Sequence, residues 1–140
     1  MTDALAALAD TIFPATDGLG SASELGAVDY VRATLDGPRG RGENRYAAAP
    51  FVQPAHAGHG WQWPETPAQG VDHLLTVLGD DDLPARIIEL EAGRLGDDMA
   101  RAAFALVCTL VLEGVLADPR HGGNADGAAW RWIGYAGGTR

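Results

Sequence analysis

Residues 97–117 read DDMARAAFALVCTLVLEGVLA, and this stretch decides the fold. Asp97 and Asp98 stand where the positive end of a helix dipole favours negative charge. The centre, from Ala102 to Leu112, is apolar nearly all round, and the spacing predicts a helix running to about Ala117. A helix of that kind is usually covered on every side by other helices, so it is expected to be the axis of the fold. The apolar run stops at Glu113, too short to span a bilayer, which takes about 20 residues.

Working outward, Leu5, Leu8, Ile12 and Phe13 lie on one stripe of a first helix that Thr2 or Asp3 caps and Pro14 ends. Thr16 to Ser21 reads as a turn. Ser23 is expected to cap a second helix to about Leu35, buried along Leu25, Val28, Val31 and Leu35 and stopped by Gly37 and Pro38. Thr66-Pro67 is a helix start, followed by Val71, Leu74, Leu75 and Leu78 at helical spacing. Gly79 and the acidic run Asp80–Asp82 close that helix, and Pro84 begins a short one with Ile87, Ile88 and Leu90, ended by Gly93. No alternating strand pattern and no internal repeat is present. The fold class is therefore all-α: a single domain over residues 1–140, built as a compact bundle of four to six helices.

Two segments lack a helical period. Gly37 to Glu65 is rich in glycine and proline, and so long a loop in a compact domain is functional or disordered. Its aromatics Tyr46, Phe51, Trp61 and Trp63 predict that at least its second half is ordered and packs on something. The tail from Asp118 to Arg140 is glycine-rich and carries Trp130, Trp132, Ile133 and Tyr135. Large aromatics in so short a span are expected to pack on the bundle or on a partner.

The chain holds 140 residues with a net charge of −9 and no lysine. That balance repels phosphate backbones and anionic head groups, so neither nucleic acid nor direct membrane insertion is expected. The lone cysteine, Cys108, excludes an intrachain disulfide and reads as a small buried hydrophobe. A secretory leader needs a basic start, and the first arginine here is Arg32. The chain as it stands is thus expected in the cytoplasm.

Chemistry-bearing residues are sparse. Of four histidines, His56 and His59 are three apart on the loop, and a metal site would have to recruit further ligands from Glu43, His73, Glu113 and His121. Glu113 follows the apolar run, and a buried carboxylate needs a partner such as Arg120, Arg131 or backbone amides. It is either a structural ion pair or a general acid–base without an accompanying nucleophile. Gly18-Leu19-Gly20 lacks the third glycine and the preceding strand of a dinucleotide fingerprint. The segment Asp118-Pro119-Arg120-His121-Gly122-Gly123-Asn124 presents Arg120 and His121 on a tight turn, and reads as a structured corner, a recognition edge, or both.

The run Phe104 to Gly137, FALVCTLVLEGVLADPRHGGNADGAAWRWIGYAG, resembles the gluconate 2-dehydrogenase subunit 3 family. Glu113, Gly114, Asp118, Pro119, Gly122, Gly123, Asn124, Trp130, Ile133, Gly134, Tyr135 and Gly137 fall on its pattern. Leu8 to Val31 is similar to the family's opening helix, Ile-Pro step and second helix. His121 stands where Tyr or Phe is common, and Ala136 replaces the usual proline.

The resemblance implies a non-catalytic small subunit that binds and stabilises a large FAD-dependent dehydrogenase of the glucose–methanol–choline type. Substrates of such complexes are sugars, sugar acids or glycosides, and some complexes add a cytochrome c. The FAD and the catalytic residues are expected in the large subunit, with no cofactor and no catalytic residue in this chain. Family members often follow a twin-arginine leader, so a removed leader would place the protein in the periplasm. Trp61, Trp63, Arg120, His121, Asn124, Trp130, Arg131 and Tyr135 are the expected partner-binding residues, with Glu113 and Asp118 as buried polar supports. The alternative is a stand-alone metal-dependent or small-molecule enzyme using His56, His59, Glu113 and His121.

Overall fold

Each long apolar period becomes a helix in the computed structural model, which describes residues 3–43, 45, 50–51 and 60–137. The Asp3 carboxylate accepts from the Ala6 amide and opens α1, Ala4–Ile12. After a turn bridged between Thr16 and Leu19 come α2, Ala27–Asp36, and the single-turn α3, Pro38–Arg41. Thr66 and Gln69 form a reciprocal capping box at the head of α4, Pro67–Leu78. Asp82 caps α5, Leu83–Glu91, and the Asp97 carboxylate accepts from the Ala100 amide at the head of α6, Asp98–Leu116. Two 3-10 turns, Pro119–His121 and Ala125–Gly127, lead into α7, Ala128–Trp132. Among the described residues there is no sheet.

The chain divides into two compact units. The first joins Met1–Ala33 to Val107–Arg140, and the second is Thr34–Leu106. In the first unit Leu8, Ala9, Val31, Val107, Leu110, Val111 and Val115 are buried to within 1% of completely. In the second, Val71, Leu74, Leu78 and Leu90 are comparably buried, and α4 packs against α3 and α5. Each of these valines and leucines contributes about 1.5–3 kcal/mol relative to leaving it in water.

Several expectations shift. Ser23 does not cap α2: residues 23–26 form a turn, and the Ser23 amide donates to Asp10 at 2.8 Å. Pro38 both ends α2 and starts α3, because a ring that fixes φ suits the first helical position. The tail contains a helix, α7, that its many glycines conceal.

The largest correction concerns α6. It is not covered all round: Ala100, Ala103, Val107, Leu110, Val111 and Val115 form its buried stripe, whereas Ala105, Thr109, Leu112 and Leu116 are exposed. The helix exceeds the apolar run that defined it. By length and composition alone it would suffice to cross a membrane, and one stripe of it is buried in the structure.

Candidate functional site

The corner after α6 is built on close backbone approach. A Cβ at Gly114 would lie 3.0 Å from the Cα of Ala27 and 3.1 Å from the Tyr30 ring. A side chain here would have to push α2 away by a few tenths of an ångström. A Cβ at Gly123 would fall under 3.0 Å from the Gly114 carbonyl oxygen, so the turn lies directly on the helix backbone. The Ala125 amide then donates to the Leu25 carbonyl at 2.9 Å, fastening the tail to the turn before α2.

Asn124 completes this corner. Its amide nitrogen donates to the Ala117 carbonyl at 2.9 Å and its oxygen accepts from the Ala129 amide at 2.8 Å. The residue adopts φ 48°, a left-handed conformation asparagine tolerates better than most. It is fully buried, which corrects its place among the partner-binding residues: an amide spent on both ends and shielded from solvent offers a partner nothing. It joins the end of α6 to the start of α7.

The two expected polar supports also differ from expectation. Glu113 accepts from the Tyr30 hydroxyl at 3.3 Å, which links α6 to α2. Arg120 is instead paired with Asp118, and Arg131 donates to the Asp126 carbonyl. Asp118 is not buried but about one-third exposed. It caps the first 3-10 turn, and the Arg120 side chain, then the Arg120 amide, hold its carboxyl down at about 2.

Around this frame the tail exposes its aromatics. The Trp130 indole N–H donates to the Leu116 carbonyl at 2.8 Å, and Tyr135 meets the Trp130 ring edge-on at 5.0 Å. The Trp132 indole N–H donates to the Asp17 carbonyl at 3.2 Å. Trp132, Ile133 and Tyr135 are nevertheless 54%, 54% and 50% exposed. Arg120, His121 and Arg131 are exposed as well, so of the expected edge only Trp130 and Asn124 are drawn inward.

The loop aromatics sit in the second unit. Trp61 lies over α4, where a Cβ at Gly70 would collide with its ring, and its indole N–H donates to the Glu65 carbonyl at 2.7 Å. Trp63 lies 6.5 Å from Trp61, and Arg45 donates to the Trp63 and Pro64 carbonyls. Trp61 and Trp63 are both half-buried.

For the alternative metal site, His56 and His59 lie outside the described residues, as does Tyr46. Among the described residues no three His, Cys, Asp or Glu side chains gather around a metal-sized point. Sequence reasoning missed Leu112 and Leu116, which are 48% and 47% exposed. An unbroken apolar run hides which of its stripes faces solvent. It missed Tyr30 too, whose only signal was a polar-tipped ring between the buried Val28 and Val31.

The family model described as Gluconate 2-dehydrogenase subunit 3 matches residues 2–138, both units included. No curated protein and no solved structure matches the chain.

Proposed function

The chain belongs to the gluconate 2-dehydrogenase subunit 3 family, and from that premise we propose that it is the non-catalytic small subunit of an FAD-dependent dehydrogenase of the glucose–methanol–choline type. The family makes it an accessory subunit of a dehydrogenase complex, with a catalytic partner. Our reading adds that the partner carries the FAD and oxidises sugars, sugar acids or glycosides, in some complexes passing electrons to a cytochrome c. This chain binds and stabilises that partner. It shares the partner's compartment.

The observation that carries the reading is the family match across residues 2–138. The geometry supports it. The family-like residues Gly114, Gly123 and Asn124 serve to lock a corner, and that corner holds Trp132, Ile133 and Tyr135 half in solvent. Rigid exposed aromatics suit the centre of a protein interface.

The test is to tag the chain in its native host, purify it gently and record the absorbance of the eluate. A stoichiometric large subunit with a flavin spectrum and sugar-dependent dye reduction is the expected result. A chain that emerges alone and colourless would overturn the proposal.

A further inference from the structure

We propose that the uncharged outer face of α6, at Thr109, Leu112 and Leu116 and continued by Tyr135 over Trp130, is the surface the catalytic subunit covers. This rests on the accessory-subunit reading and adds which face is used.

The three helix residues recur at spacings of three and four, so they share one face of α6. All three are exposed, and none is charged. The patch continues past the helix end, because the Trp130 indole is fixed to the Leu116 carbonyl and Tyr135 packs edge-on against that indole. The aromatic extension therefore has a fixed position next to Leu116 before any partner arrives. Ordering has already been done, which lowers the cost of binding.

Charge disfavours two other occupants. A second copy would bring −9 against −9. An anionic bilayer would meet the same excess of negative charge, and none of the residues of this patch is basic. The nearby Arg120 is neutralised by Asp118. The face thus suits an apolar, charge-poor surface on a protein, and the protein that family membership calls for is the catalytic subunit. Depletion of charge with enrichment of aromatics is the signature of an interface centre.

The test replaces both leucines, Leu112→Arg with Leu116→Arg, in the tagged full-length chain. Arginine is a good helix former, and a cation near a helix C-terminus is favourable, so folding should survive; circular dichroism checks it. Ile88→Arg is the control, since Ile88 is 62% exposed in the other unit. Co-purified dehydrogenase subunit, read as flavin absorbance and dye-reduction activity per mole of chain, should fall at least roughly tenfold for the double variant and stay unchanged for Ile88→Arg. Full retention by the double variant, or equal loss in the control, overturns the proposal. If the wild type captures no dehydrogenase, the accessory reading itself has failed, and the assigned face with it.

Should the double variant misfold, Leu116→Cys gives a milder readout. A maleimide should label position 116 in the isolated chain and not in the complex, with peptide masses separating it from Cys108. Equal labelling in both states overturns the proposal.

Discussion

Trp61 and Trp132 have opposite fates, although each satisfies its indole N–H on a backbone carbonyl. Trp61 is seated over α4 at Gly70, so its ring is spent inside its own unit. Trp132 has its N–H fixed to Asp17 but leaves more than half of its surface in solvent. An aromatic in a loop is therefore no sign of an interface by itself. The sign is a ring whose polar atom is anchored while its face stays uncovered.

The same contrast applies to the glycines underneath. Gly123 and Gly70 both sit where a Cβ would come under 3.0 Å of another atom. At Gly123 that atom is the Gly114 carbonyl, which cannot move without displacing the end of α6. At Gly70 it is the rim of the Trp61 ring, a side chain able to swing. Gly123→Ala is expected to cost about 3 kcal/mol or to prevent folding, the upper range for forced overpacking. Gly70→Ala should cost about 1 kcal/mol or less, because alanine recovers nearly that much helix propensity. Urea unfolding of the two variants checks this. Equal losses would mean the corner after α6 is no more rigid than the loop seat.

Next in size is Asn124→Ala. It deletes two hydrogen bonds, leaves the buried Ala129 amide without its acceptor and puts alanine at φ 48°. A loss of about 2–3 kcal/mol follows from the unsatisfied donor and the left-handed backbone together. Thermal unfolding measures it. A loss below about 0.5 kcal/mol would return Asn124 to the surface role first assigned to it, since such small effects belong to exposed positions.

Much of the fold was readable because its signals are local. Thr66-Pro67, Asp97-Asp98 and the period of Leu5, Leu8 and Ile12 each act within one or two turns of helix. The family-like residues were readable as a pattern, but their purpose was not. Glu113 meets Tyr30 and the Ala125 amide meets the Leu25 carbonyl only once the N- and C-terminal segments have come together in one unit. Spacing along the chain carries no trace of such contacts. Which side chains face solvent was hard to read for the same reason. Tyr135 and Arg131 are exposed, Asn124 is buried, and the leucines of α6 gave no hint of their direction.

The smallest expected effect separates the units by acid. Asp118 in the first unit is held at about 2 by the Arg120 side chain and amide. Asp97 in the second is raised by burial, but the Ala100 amide, His73 and the Met99 amide outweigh that and lower it on balance. Both groups are depressed below their unfolded value of 3.8. Their stabilisation is therefore fully present above about pH 4 and is lost as pH falls through the folded values, to about 2 for Asp118. Between those limits Asp118→Asn should flatten part of the fall in Tm with acid, and Asp97→Asn another part. Because Asp118 is solvated and salt screens exposed pairs, its share should shrink in about 1 M salt. The Asp97 share should shrink less, since its carboxylate also caps α6 through the Ala100 amide at 2.8 Å. An acid limb identical in wild type and both variants would show that neither carboxylate contributes to the fold.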